Sequence, residues 1–278
     1  MNSKNSLLKL TAAILLCVTL AFVSCEKEKE EDPDQNDAAQ LSEASARSEA
    51  AFEDVFDIVL QDGEANGLSN RGTSVSRIAS CALVNINPLG STWPKTMTID
   101  FGTGCTAPNG VTRKGKLIAV LSGPILLSGT TVAVSFDGYY VNYYKVEGNV
   151  LFTNNGGTGL NVTRQTTNGK LTYPDGTTFY TYNGSHTLSQ IAGANTISFV
   201  DDVFNITGGG TTGSSAGNAL TTNITTALVK ATACHNVSAG VTQFTYNNIS
   251  GSLNFGNGNC DNLATLTVGQ FTHIVLMP

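Results

Sequence analysis

Two periodicities divide this chain. Between Asp37 and Asp62 the apolar residues recur every three or four positions: Ala38, Leu41, Ala44 and Ala51, then Phe52, Val55, Phe56 and Val59. That spacing predicts an amphipathic helix over residues 38–62. Asp37 stands as its N-cap, and Asp62-Gly63 with Asn66-Gly67 as its stop. Phe52, Val55, Phe56 and Val59 form the apolar side, and Glu43, Glu49, Glu53, Asp54 and Asp57 line the outside. An acidic outer face favours packing on a following sheet over lying in a membrane surface, where the polar face is basic.

From about Ser76 the period shortens to two. Alternating runs fall at 96–101, 116–122, 131–136, 139–144, 146–153 and 160–165, then at 177–182, 196–200, 220–229, 241–246, 251–255, 263–268 and 271–276. Asp137-Gly138, Glu147-Gly148, Asn168-Gly169, Asp175-Gly176 and Asn183-Gly184 fall between or within them. Such dipeptides are the strongest short-range hairpin signal, although Glu147-Gly148 also fits a bulge. The expectation is all-β with one N-terminal helix: a large antiparallel meander of roughly 12–14 strands over 76–278, as an open barrel or a sandwich. The stretch from Gly208-Gly209-Gly210 to Gly217 reads as a loop.

An internal echo marks both ends of this region. Met97–Cys105 reads MTIDFGTGC and Ser252–Cys260 reads SLNFGNGNC. Phe101 precedes Gly115 by the same interval as Phe255 precedes Gly269. The echo points to duplicated edges, or pseudo-symmetric halves, of one sheet.

The N-terminus carries a different signal. Lys4 and Lys9 precede an apolar run from Leu10 to Val23, followed by Ser24-Cys25. A basic start, a short apolar core and a small residue at the cut site make a secretory signal over 1–24. The run falls short of the roughly 20 residues that span a bilayer. Phe22-Val23-Ser24-Cys25 resembles the bacterial lipobox, with Phe22 in place of the usual Leu. The resemblance implies that Cys25 is acylated and becomes the mature N-terminus. The acidic linker 25–37 that follows resembles the signal that sends Bacteroidota lipoproteins to the outer face of the outer membrane.

Charge separates the same regions. Residues 26–64 hold 14 acidic and 3 basic side chains, whereas 65–278 hold only 7 acidic and 10 basic. The body is built instead from Thr, Asn, Ser, Gly and aromatics, which suits half-buried strands with an uncharged outer face. No clustered basic surface of the kind nucleic acid requires is present: Arg113-Lys114-Gly115-Lys116 reads as solvated loop charge. Six Asn-x-Ser/Thr sequons, beginning at Asn161, reflect the Thr- and Asn-rich sheet.

Beyond Cys25, Cys81, Cys105, Cys234 and Cys260 remain after signal removal, an even number that implies disulfides in an exported protein. The similar intervals and contexts favour Cys81 with Cys105 and Cys234 with Cys260. A zinc site would need a tight Cys-x2-4-Cys spacing, which is absent.

Catalytic motifs are lacking. His186, His235 and His273 have no partner at metal-ligand spacing, and no Gly-x-Ser-x-Gly elbow occurs. Glu147 with Asp201 or Asp202 is the one carboxylate pair to examine for glycoside chemistry. Asp100 and Asp261 flank the echoed corners and read as turn residues. Tyr139, Tyr140, Tyr143 and Tyr144 cluster within six residues. Alternation puts Tyr139, Val141 and Tyr143 on one face and Tyr140 and Tyr144 on the other, so one face packs and the other is free to contact a sugar or an apolar ligand.

Thr98–Cys105, Arg113–Leu117, the run Asp201–Gly208 and Cys260-Asp261-Asn262 together resemble a group of uncharacterised Bacteroidota β-rich lipoproteins. The resemblance covers most of the chain after residue 80, with loose motifs, and carries no catalytic residues. It implies a lipid-anchored envelope protein. The sequence thus predicts a protein of the outer membrane, anchored through Cys25 and surface-exposed, with no cofactor. It reads as a non-catalytic binding or structural module with a glycan, lipid or envelope-protein partner. The alternatives are a carrier or chaperone for an apolar ligand in an open barrel and, more weakly, a glycan-active hydrolase.

Overall fold

The computed structural model describes residues 33–69, 81–108 and 110–277. Cys25, the signal segment and the first part of the acidic linker lie outside the described residues.

The helix, α1, runs Pro33–Ala65. Pro33 sits at its first position, where the missing N–H costs nothing. Asp37 is therefore an interior residue and not the N-cap. At the other end Gly67 takes φ +75°, and the Gly67 N–H donates to Glu64 O and the Leu68 N–H to Gly63 O. A left-handed glycine after the last turn is a common helix stop, so Asn66-Gly67 ends the helix while Asp62-Gly63 lies within it.

The strands are β1 (Leu83–Asn87), β2 (Lys95–Asp100), β3 (Cys105–Thr106), β4 (Thr112–Leu121) and β5 (Thr131–Val141). Next come β6 (Tyr144–Asn154), β7 (Asn161–Thr172), β8 (Phe179–Ala192) and β9 (Val203–Ser214). The last are β10 (Ala219–Ala231), β11 (Ala239–Tyr246), β12 (Ile249–Asn257), β13 (Leu263–Val268) and β14 (Phe271–Leu276). They form one antiparallel sheet in chain order from β1 to β14, with the short β3 paired beside β4. The sheet is not closed: β1 and β14 are its edges. The sandwich alternative is thereby replaced by a single meander.

Several dipeptides that read as turns lie inside long strands. Asp175-Gly176 does turn β7 into β8, whereas Asp137-Gly138, Glu147-Gly148, Asn168-Gly169 and Asn183-Gly184 fall within β5, β6, β7 and β8. The first three coincide with register shifts. Gly148 shows why glycine is needed: its φ is +121°, and a Cβ there would lie 2.7 Å from Asn168 O. A bulge bends its strand and increases the twist. Bulges in neighbouring strands β4 to β7, and again in β10 and β11, therefore curl the sheet. The glycine-rich run is likewise strand from Gly208 to Ser214, in β9, while Gly217 lies in the turn that follows, and Thr196–Val200 is not strand: a 3-10 turn occupies Phe199–Asp201.

The curl encloses the helix. Every residue from Ala51 to Glu64 is buried, around the full circumference of α1. Phe52 stacks on Tyr182 at 5.6 Å, and Phe56 meets Phe152 at 5.6 Å and Phe204 at 5.4 Å. Close approach is permitted at Gly169, where a Cβ would lie 2.9 Å from the Phe52 ring and 2.6 Å from Tyr182 O. Met97, Ile99, Leu117, Leu188, Leu253 and Leu266 complete the inner face.

The two disulfides join Cys81 to Cys105 and Cys234 to Cys260, with Cα separations of 5.7 and 5.6 Å. Phe101 and Phe255, the echoed aromatics, are both buried. The first copy lies next to edge strand β1, and the second in β12, third from the other edge. Gly115 sits within β4 at a bulge.

Candidate functional site

The carboxylates of α1 are not solvated; most of them meet partners from the sheet. Glu49, Glu53 and Asp57 recur every four residues along one side, and Asp54 is turned about 100° away from Glu53. Arg164 of β7 pairs with Glu53, and Lys230 of β10 reaches Asp57 at 2.5 Å. Arg113 of β4 grips Asp54 with two nitrogens, one of them Nε at 2.8 Å, and Tyr139 of β5 donates to Asp54 at 3.3 Å. Tyr182 and Thr222 donate to Glu49, and His186 Nε2 lies 3.7 Å from it. Arg113, Arg164 and Lys230 are each at most 2% exposed. Nearer the N-terminus, Asn218 and Tyr246 donate to Asp37, and His273 of β14 meets Glu43 at 3.3 Å. Strands from β4 to β14 thus converge on one helix.

Burial and charge set the acidities here. At Asp54 burial pushes the carboxyl up, but the Arg113 guanidinium outweighs it and holds the group below its ordinary value. Glu49 is lowered in the same way: burial opposes, and His186 and Arg164 prevail. Asp57 goes the other way. Burial, with Glu53 and Asp54 close by, overrides Lys230 and raises it to about 6. Burial beside Asp54 also raises Tyr139 well above the ordinary phenol.

Among the described residues the space around the helix is consequently almost filled. Between α1 and β7 to β10 a chamber of about 30 Å³ remains, lined by Glu49, Glu53, Arg164, His186, Lys230 and His235 among others. That is space for a water or two, against the roughly 300 Å³ or more of a small-molecule site. Larger recesses lie at the surface. One of about 450 Å³ is framed by the β4–β5, β6–β7 and β8–β9 loops, and one of about 380 Å³ adjoins Cys234–Cys260 and Asn142. No group of three metal-ligating side chains occurs among the described residues. No helix among them is long and apolar enough to cross a membrane, which leaves strands untested.

The sequence candidates are dispersed. Tyr139 is wholly buried and serves the Asp54 cluster. The bulge at Asp137-Gly138 brings Phe136 and Tyr139 to the same inner side, where their rings stack at 5.6 Å. Tyr140 points outward, with Lys114 Nζ 3.8 Å from its ring centre. Tyr143 does not share the face of Tyr139: with Asn142 it forms the β5–β6 turn, and it is 78% exposed. Tyr144 instead joins Tyr173 at 4.9 Å, Tyr173 meets Tyr180 at 5.4 Å, and Arg47 donates to the Tyr144 hydroxyl.

The carboxylate pair is not brought together. Glu147 binds Lys145 at 2.7 Å and stands opposite Lys170, whose own partner is Thr181. Asp202 precedes Val203, which pairs with Ala192. From Thr181 to Ala192 along β8 is roughly 35 Å at about 3.3 Å per residue. His186 is a buried strand residue facing the chamber.

No protein-family model, curated protein or solved structure matches this chain.

The helix-centred charge cluster escaped the sequence reading because each partner is a lone cation in a different strand. A signal existed. Arg164 alternates with buried Val162 and Thr166, and Lys230 with buried Leu228. A cation at the inward parity of a strand in a charge-poor chain points at a buried partner.

Proposed function

We propose that this protein is a lipid-anchored envelope protein of the outer membrane that acts as a non-catalytic binding or structural module at the cell surface. The supporting observation is the filled interior. A helix occupies the concave side of the sheet, and the inward cations Arg113, Arg164 and Lys230 are spent on its carboxylates. A carrier of apolar ligands needs that space empty, and a two-carboxylate hydrolase needs its carboxylates within about 10 Å. Two disulfides accord with an extracytoplasmic setting. The anchor in this reading is Cys25, followed by an acidic spacer that carries the module away from the membrane.

Metabolic labelling tests the anchor. Labelled palmitate enters the native protein and not a Cys25→Ala variant. Protease added to intact cells then degrades the native protein if it is surface-exposed. Absence of label removes the anchor from the account, and protection from protease removes the surface location.

A further inference from the structure

The recess at one rim of the sheet has the character of a built site. Three loops converge there, and the cleft measures about 450 Å³, inside the roughly 300–1,000 Å³ of small-molecule sites. The loops are cross-braced by side chains. Asn154 Nδ2 donates to Ile125 O, and its Oδ1 accepts from the Gly156 N–H, joining the β4–β5 loop to the β6–β7 loop. Gln190 Oε1 accepts from the Leu160 N–H at 2.9 Å, joining β8 to the same loop. Gly156 packs so close that a Cβ would lie 2.5 Å from Ser128 Oγ. A braced cleft loses little entropy when it binds.

Its chemistry selects the ligand. Among the described residues, none of its lining side chains is ionisable. A charged ligand would be desolvated there without a counter-charge, which is costly. The walls instead present hydroxyls and amides, from Ser128, Thr158, Asn195 and Gln190, beside Leu127. Gln190 Nε2 is a shielded donor in that wall with no acceptor among the described residues. Leu127 is 56% exposed. Hydroxyl and amide groups around a small apolar surface suit a molecule with hydroxyls at its edge and C–H groups on its face.

We propose that this rim cleft binds a neutral sugar unit. The inference rests on reading the protein as a binding module, and it names the site and ligand class of that module. Thr158 and Asn195 hold the sugar hydroxyls, and Leu127 lies against its apolar face.

The test is nuclear magnetic resonance of the exported, isotope-labelled full chain. It is titrated with glucose, galactose, mannose, N-acetylglucosamine, their common disaccharides and glucuronate. The expected result is saturable shifts at Thr158, Gly159 and Asn195 with at least one neutral sugar and none with glucuronate. Thr158→Val or Asn195→Leu weakens that binding about fivefold each, the worth of one hydrogen bond, with unfolding unchanged. Three results overturn the site: no sugar shifts these residues, only glucuronate does, or the shifts map to Tyr144, Tyr173 and Tyr180 instead. That last outcome keeps the binding-module reading while removing this site. Failure of the anchor is read separately, from palmitate labelling.

Discussion

Replacing Arg113 with Met tests the buried charge cluster most sharply. Methionine keeps most of the side-chain stem and removes the guanidinium. Asp54 then loses both hydrogen bonds from Arg113 and keeps only that from Tyr139 at 3.3 Å. Its side chain is 2% exposed, so water cannot replace them. Breaking one partner of a buried ion pair costs about 3–5 kcal/mol, a large share of the 5–15 kcal/mol typical of a domain. Without Arg113, burial dominates the Asp54 carboxyl and raises it above its unfolded value of 3.8. The damage is then fully present at high pH and shrinks as pH falls and Asp54 takes a proton. The native pair also leaves Arg113 Nη1 without an acceptor among the described residues, so it is not fully compensated. A triple variant, Arg113→Met with Asp54→Leu and Tyr139→Phe, removes every polar atom of the trio. It returns to within about 1 kcal/mol of the native protein or exceeds it. Urea unfolding, followed by Trp93 fluorescence and circular dichroism at pH 5 and pH 8, measures all of this. A single-variant cost below about 1 kcal/mol at pH 8 refutes the reasoning, as does a triple variant that merely adds up three losses.

Other perturbations follow from the same packing. Asp57 titrates near 6 folded and 3.8 unfolded, so its contribution is full below 3.8 and is lost as pH rises through 6. The native protein therefore gains about 1 kcal/mol on going from pH 7 to pH 5, and Asp57→Asn abolishes that rise; a native profile that falls over this range contradicts it. Below pH 4 the trend reverses, because the lowered carboxyls of Asp54 and Glu49 become protonated. Gly169→Ala places a methyl against the Phe52 ring and Tyr182 O, at a cost of about 1–3 kcal/mol; unchanged urea stability shows that the helix does not press on β7 there. Replacing Cys234 and Cys260 by Ser opens a cross-link of sequence separation 26 and lowers stability by about 3 kcal/mol. A change under about 1 kcal/mol would indicate that the loop is already ordered without the bridge.

The fold was largely legible, and its errors have one physical source. Alternation located most of the strands, though not β1 or β9, and the similar intervals between cysteines pointed to the observed disulfides, because both are local properties of the chain. Asp-Gly and Asn-Gly dipeptides were misleading because a positive φ serves a bulge as well as a hairpin. Only the neighbouring strands distinguish the two: Gly148 is fixed by Asn168 of β7. The helix carboxylates were misjudged for a related reason. Glu49, Glu53 and Asp57 look like a solvated stripe until the sheet closes over them, and their partners lie 111 and 173 residues away in Arg164 and Lys230. The rim cleft carries no signal of its own, since Ser128, Thr158 and Asn195 are ordinary loop residues until three separate loops bring them together.

The most direct test of the whole account is native mass spectrometry of the gently purified, exported protein. The account predicts a polypeptide four hydrogens lighter than the fully reduced chain, with no non-covalently bound lipid or other apolar molecule, because the helix fills the interior. A lipid or other apolar molecule bound at one copy per chain would contradict it and restore the carrier reading.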